Sequence, residues 1–197
     1  MSEPQAIVAV LAGGGAKRMG GAKATALLAG RPLICGPLQA AREAGLEAVV
    51  VAKASTVLPP LAEQVVHEPE LPLHPLCGVL AALELAGARS PAPAVLVIAC
   101  DMPFLTGELL DWLAHLRGAV TACVDGRPQP LLSRCHPLQR AILRAALAEQ
   151  SSLAAAIATL EPRVIDEREL SRFGDPERLC FNVNDAEDLA RAESWPA

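Results

Sequence analysis

A glycine-rich turn that carries cations follows the first apolar segment, and these residue types are suited to binding phosphate. Residues 11–23 read L-A-G-G-G-A-K-R-M-G-G-A-K, at the end of the apolar run 6–11. Glycine adopts backbone conformations that other residues avoid, and it leaves room for a ligand to approach. Backbone N–H groups in such a turn converge on an anion, and Arg18 and Lys23 add positive charge. The pattern indicates a nucleotide triphosphate as the ligand.

Two better-known glycine loops do not match this turn. A P-loop has a hydroxyl residue after its lysine, whereas Ala24 follows Lys23 here. The dinucleotide fingerprint has a third glycine where Arg18 stands, and an acidic residue where the second strand ends in Lys53. Many glycine-rich turns bind nothing, so the phosphate hypothesis needs support from a second feature.

That second feature is an aspartate at the end of the most apolar segment. Residues 94–100 are all apolar, and Asp101 follows them. Ligands of open α/β sheets bind at the carboxyl ends of strands, and Mg²⁺ takes one or two carboxylates together with phosphates and waters. Asp101 could instead cap the next helix, but Thr106 is the better cap, with Leu109 on the buried face. We therefore favour Asp101 as a Mg²⁺ ligand.

A parallel sheet is needed to position these residues, and the alternation of segments predicts one. Apolar runs of strand length occupy 6–11, 47–52, 64–67, 94–99 and 119–124, with helical stretches near 33–44, 57–63, 76–87 and 107–117. Such alternation predicts a single-domain α/β fold with a mostly parallel, Rossmann-like sheet flanked by helices.

The pattern changes after residue 125, where D-G-R-P indicates a turn. The remaining elements are predicted as an antiparallel strand over 129–134, helices over 137–149 and 151–160, a strand at 163–166, a short strand ending at Val183 and a helix from about 185. Since no linker or repeat divides the chain, we expect one domain over 1–197.

Composition excludes several classes of protein. The 197 residues are 52% hydrophobic, enough for one domain with a substantial core, and the net charge of −5 argues against a general nucleic-acid or membrane-surface binder. No apolar run reaches the roughly 18 residues of a membrane span, and the start MSEPQ does not resemble a secretory signal. Six scattered cysteines indicate reduced thiols and a cytoplasmic protein, and the four histidines lack metal-ligand spacing.

Four motifs in order resemble the molybdenum-cofactor guanylyltransferases and their MobA-like relatives. The turn at 11–23 with G-R-P-L at 30–33 is similar to the signature L-A-G-G-x-x-x-R-M-G-x-x-K…G-x-P-L. P-L-C-G-V at 75–79 resembles G-P-L-x-G, and C-D-M-P-F at 100–104 resembles C-D-x-P-[FY]. F-N-V-N at 181–184 with E-D-L at 187–189 is similar to the family's C-terminal motif. The resemblance implies an α/β fold of the nucleotide-diphospho-sugar transferase type.

The resemblance also implies a reaction, in which a phosphate of molybdopterin attacks the α-phosphorus of GTP and releases pyrophosphate. By similarity, Arg18, Lys23 and Asp101 would be catalytic, with Mg²⁺ as the cofactor on Asp101. The implied nucleotide-binding residues are Leu11, Ala12, Gly13, Gly14, Gly15, Lys23, Glu68, Gly78 and Asp101. The expected partners are GTP, molybdopterin and, transiently, other molybdenum-cofactor proteins, with no nucleic acid and no membrane.

Departures from the family pattern leave the base open. Ala22 stands where many members have Asp, Lys53 where Asn is frequent, and Glu68 matches, with a gap, an aspartate before G-P-L. Gly13-Gly14 favours guanine, because cytidylyl- and uridylyltransferase relatives usually have L-A-A-G. The alternatives are a related enzyme that uses CTP or another small phosphorylated acceptor, and a catalytically weak nucleotide-binding regulator.

Two further features have both a functional and a structural interpretation, and a third has only a structural one. Asn182 and Asn184 either orient the metal or second substrate or form a turn before a helix at 185, and the sequence favours neither. The proline-rich segment 71–75 is a connecting loop in preference to a substrate lid. Trp112 and Trp195 are predicted to pack in the core.

Overall fold

A seven-stranded sheet forms the centre of the molecule in this computed structural model, which describes residues 6–13 and 23–195. In chain order the strands are β1 (Ala6–Leu11), β2 (Leu27–Leu28), β3 (Arg31–Pro32), β4 (Ala48–Ala52), β5 (Gln64–His67), β6 (Ala94–Ala99), β7 (Val120–Val124), β8 (Arg127–Cys135) and β9 (Arg163–Ile165). The sheet order is β5-β4-β1-β6-β8-β7-β9, and β2 pairs with β3 separately. All pairs in the large sheet are parallel except the two made by β8. The predicted fold class is confirmed.

Helices cover both faces of this sheet. They are α1 (Cys35–Glu43), α2 (Pro75–Gly87), α3 (Gly107–His115), α4 (Arg140–Ala148), α5 (Leu153–Ala158), α6 (Glu167–Leu170), α7 (Pro176–Leu179) and α8 (Ala186–Ser194). Side chains of a strand alternate between faces, so Val8 and Val10 enter the core with α1 and α3, whereas Ile7 and Ala9 enter the core with α2, α4 and α5. Coverage of both faces explains why the central strands are continuously apolar.

Two predicted elements are wrong. The segment 57–63 is not helical, because Pro59 and Pro60 cannot donate backbone hydrogen bonds and their rings obstruct the preceding turn. Leu58 and Leu61 still pack against the core from this irregular segment. No strand ends at Val183, which instead is fully buried and donates one backbone hydrogen bond to Asp101 O at 2.9 Å.

Several smaller expectations are met. Thr106 caps α3, since its Oγ1 accepts from Leu109 N at 3.3 Å. All six cysteines are free. Trp112 packs against the core, and Trp195 makes an edge contact with Phe104. Within residues 6–13 and 23–195, no helix has the length and apolar character that crossing a membrane requires.

Candidate active site

The candidate site lies in the crevice at the carboxyl ends of β1 and β6. Because β4 and β6 lie on opposite sides of β1, this is the switch point where open α/β sheets bind ligands. Leu11 pairs with Ala99, and Cys100 N donates to Leu11 O at 3.1 Å, so the two strands end side by side. Gly13 and Asp101 consequently line one cavity of about 260 Å³.

At one end of this cavity, a lysine ammonium lies between two oxygen acceptors. Lys23 Nζ donates to Asp101 Oδ2 at 2.6 Å and to Asn184 Oδ1 at 2.7 Å. The paired side chains of Lys23 and Asp101 are 18% and 9% exposed, which excludes a solvated surface lysine. We call Lys23, Asp101 and Asn184 the cation end. In the described part of the chain, no three His, Cys, Asp or Glu side chains cluster as a metal site.

The two asparagines of the C-terminal motif have different environments. Asn182 Nδ2 donates to Cys180 O at 3.0 Å, which stabilises the local turn. Asn184 Nδ2 donates to Asn182 O at 3.0 Å, which directs Asn184 Oδ1 toward Lys23. Asp185 then caps α8 by accepting from two backbone N–H groups. Asn182 is therefore a turn former, whereas Asn184 belongs to the cation end.

The other end of the cavity holds a buried carboxylate between two glycines. A Cβ atom on Gly13 would lie 1.9 Å from Glu68 Oε1, and one on Gly78 would lie 3.1 Å from Glu68 Oε2. Glycine at position 13 is thus required for the close approach of Glu68. Burial raises the pKa of Glu68, and the nearby Lys53 ammonium opposes part of that rise.

Lys53, which follows β4, is a site residue that the sequence did not reveal. It is 8% exposed and lines the cavity beside Glu68. Its Nζ donates to Pro69 O at 2.7 Å and to Glu70 O at 2.8 Å. Among the described residues, Lys53 and Glu68 do not form a direct ion pair with each other. We call Lys53, Glu68, Gly13 and Gly78 the carboxylate end.

The segment between these residues and α2 forms one wall of the cavity. His74 Nδ1 accepts from Leu76 N at 3.1 Å, and Pro75 begins α2, so the helix starts at the cavity. Leu73 also lines the cavity and is 77% exposed. Because Lys53 binds two carbonyls of the segment 69–75, that segment is a tethered connecting loop.

The cysteine beside Asp101 is buried, and its environment favours the protonated thiol. Burial raises the pKa of Cys100 to about 12, and the Asp101 carboxylate adds to this effect. The thiol is therefore protonated at neutral pH, and thiolate is the form that attacks electrophiles.

The structure brings together most of the residues singled out from the sequence. The cavity lining includes Leu11, Gly13, Lys23, Glu68, Gly78 and Asp101. Ala12 is buried behind it, and its N–H donates to Val51 O at 2.8 Å. Gly14, Gly15 and Arg18 lie outside the described residues.

Comparison with known proteins matches the sequence to a family. The MobA-like NTP transferase domain matches residues 8–164. A molybdenum cofactor guanylyltransferase of Cereibacter sphaeroides is 35% identical, with 94% of each chain covered. A probable molybdenum cofactor guanylyltransferase of Thermococcus gammatolerans is 31% identical, covering 94% of this chain and 97% of its own.

A solved structure has the same fold. The molybdopterin-guanine dinucleotide biosynthesis protein A of Archaeoglobus fulgidus superposes with a TM-score of 0.76 at 24% identity, covering 94% of this chain and 96% of its own. The family match covers most of the chain, and the relatives align over nearly all of it. The chain belongs to the MobA-like NTP transferase domain family and is a nucleotidyltransferase.

Proposed function

We propose that this nucleotidyltransferase transfers GMP from GTP to the phosphate of molybdopterin. The observation that carries the proposal is the single crevice that holds both the carboxylate end and the cation end. A nucleoside triphosphate has complementary ends, a base edge and a chain of phosphates. The names of the relatives in Cereibacter and Thermococcus support guanine and the molybdenum cofactor as the two substrates.

The carboxylate end supports guanine as the base. Guanine presents the O6 acceptor beside N–H donors on one edge. Glu68 accepts from those donors when it is ionised. An ammonium has three N–H donors, and Lys53 gives two of them to Pro69 and Glu70. The third N–H is left to donate to O6. Glu68 and Lys53 together therefore bind the donors and the acceptor of the guanine edge.

The cation end supports binding of the phosphates and of Mg²⁺. Asp101 Oδ2 and Asn184 Oδ1 already converge on one cation, so their oxygen chemistry fits the hard ion. When bound, Mg²⁺ would neutralise charge on the transferring phosphoryl group and on the pyrophosphate. Lys23 would hold a phosphate oxygen, and Arg18 is proposed for the same chain of phosphates.

The reaction needs little proton transfer from the protein. A phosphate monoester has a second pKa near 6, so the molybdopterin phosphate is ionised and nucleophilic at neutral pH. One of its oxygens forms a bond to the α-phosphorus of GTP, and the bond to the β-phosphate oxygen breaks with release of pyrophosphate. The chain's task is positioning and charge neutralisation, which is typical of phosphoryl transfer.

Product formation tests the proposal directly. Purified protein is incubated with molybdopterin, Mg²⁺ and GTP, CTP, UTP or ATP, and pyrophosphate and dinucleotide are quantified. GTP should give the highest kcat/KM, and at 100 times its dissociation constant it should stabilise the fold by about 2.7 kcal/mol. Preference for CTP would overturn the guanine assignment. Binding without turnover on any acceptor would favour a nucleotide-binding regulator.

A further inference from the structure

Lys23 fills the position where the proposed function needs a metal. Its ammonium contacts Asp101 Oδ2 at 2.6 Å and Asn184 Oδ1 at 2.7 Å, two of the oxygens that would coordinate Mg²⁺. A second cation bound to the same oxygens would lie within a few ångströms of the ammonium and repel it. Lys23 in this position and a metal on Asp101 are therefore alternatives.

The backbone that carries the two oxygen acceptors is tied in place without the lysine. Val183 N donates to Asp101 O at 2.9 Å, which ties the C-terminal segment to the end of β6. Asn184 N donates to Asp188 Oδ2 at 2.8 Å, and Asn184 Nδ2 donates to Asn182 O. The backbone of Asp101 and the side chain of Asn184 therefore keep their positions if the lysine, with its flexible four-carbon side chain, moves away.

We propose that Lys23 is an exchangeable placeholder cation, a role that rests on the proposed function. Without nucleotide, its ammonium neutralises the nearly buried Asp101, which avoids an unpaired buried charge. The triphosphate attracts the ammonium away, and the oxygens of Asp101 and Asn184 then become available to a divalent cation. The metal site is thus formed by nucleotide binding, and the free protein binds divalent metal weakly.

The test measures metal binding without nucleotide, with Mn²⁺ as a paramagnetic probe. Free Mn²⁺ is quantified by electron paramagnetic resonance for wild type, Lys23→Met and Lys53→Met. Lys53→Met is the matched control, because it removes a lysine from the same cavity that does not contact Asp101. We expect Lys23→Met to bind Mn²⁺ at least about tenfold more tightly than wild type, since the competing charge is gone. Adding Asp101→Asn to Lys23→Met should abolish that gain.

Equal Mn²⁺ affinity in wild type and Lys23→Met would overturn the proposal, and so would an equal gain in Lys53→Met. Lys23→Gln, checked for folding by circular dichroism, gives the same test if the Met variant does not fold. Calorimetry of wild type with a non-hydrolysable GTP analogue in chelator tests the proposed function separately. A gain in Lys23→Met with no nucleotide binding by wild type would support competition between Lys23 and metal for Asp101, and it would refute both the displacement of Lys23 by nucleotide and the guanylyltransferase.

Discussion

The two ends of the cavity each contain a lysine and a carboxylate, yet they pair them differently. At the cation end, Lys23 contacts Asp101 directly at 2.6 Å. At the carboxylate end, Lys53 binds two backbone carbonyls, and Glu68 has no direct ion pair with it. A direct pair neutralises its carboxylate until another cation replaces the lysine. A separated pair leaves the carboxylate open to accept hydrogen bonds from a ligand while the lysine opposes its protonation.

This difference assigns opposite chemistry to two similar sets of residues. The cation end is suited to phosphates and metal, where charge is exchanged. The carboxylate end is suited to a neutral base edge, where hydrogen bonds are selected. Variants at the cation end should therefore change the rate, and variants at the carboxylate end should change which nucleotide is used.

The largest effect is expected from Asp101→Asn. The substitution keeps the size of the side chain and an oxygen that can accept from Lys23, so the fold should persist. Loss of the negative charge should lower kcat by about 100-fold or more, the scale of removing one preorganised electrostatic contact. Steady-state rates with GTP and thermal unfolding check this prediction together. A near-normal rate would remove Asp101 from the mechanism.

Glu68→Gln should change the choice of base. The amide can no longer accept two hydrogen bonds from guanine, and one such bidentate contact is worth about 1–3 kcal/mol of discrimination. The ratio of kcat/KM for GTP over CTP should fall by roughly tenfold or more. Asp101→Asn is the control, because it should lower both rates and leave the ratio similar. An unchanged ratio in Glu68→Gln would place base recognition elsewhere.

The carboxylate end should also make GTP binding depend on pH. Burial raises the pKa of Glu68, so this carboxylate protonates at a higher pH than an exposed glutamate. GTP affinity should therefore fall as pH falls through that raised pKa. The same shift means that the ionised side chain costs folding free energy above it, and Glu68→Gln should increase stability at neutral pH. Titration calorimetry of wild type and Glu68→Gln with GTP from pH 4 to 8 checks the affinity, and thermal unfolding checks the stability. The same pH dependence of GTP affinity in both proteins would contradict the prediction.

Gly13→Ala should produce a smaller version of the Glu68 effect. The new methyl group would lie 1.9 Å from Glu68 Oε1, so the end of that flexible side chain must move. We expect the GTP preference to fall several-fold, with the free energy of unfolding changing by about 1 kcal/mol. Gly78→Ala is the milder control. Its methyl group would lie 3.1 Å from Glu68 Oε2, whereas the methyl group of Gly13→Ala would lie 1.9 Å from Oε1, and alanine favours the helix. Equal losses in both variants would contradict the role of Gly13.

The sequence predicted the site residues that come just after an apolar strand, because the strand pattern itself fixes their position. Gly13 and Asp101 each come just after an apolar strand, and the parallel pairing of β1 and β6 brings these two residues together. The prediction of a helix over 57–63 was wrong because Pro59 and Pro60 interrupt that segment. The short strand at Val183 was wrong because one backbone contact to Asp101 replaces the expected pairing.

Lys53 could not be recognised from residue types alone. Its partners are carbonyls of Pro69 and Glu70, and backbone acceptors leave no trace in a side-chain pattern. A lysine after a strand is usually exposed, because burying an ammonium is costly. The available signal was its position at the end of a buried parallel strand, the same signal that identified Asp101.

The most direct test is a crystal structure with a non-hydrolysable GTP analogue and Mn²⁺, with the metal located by anomalous scattering. The account predicts Mn²⁺ on Asp101, the phosphates beside Lys23, and the guanine edge within hydrogen-bond distance of Glu68 and Lys53. A base bound at Asp101, or a nucleotide outside the crevice between β1 and β6, would contradict it.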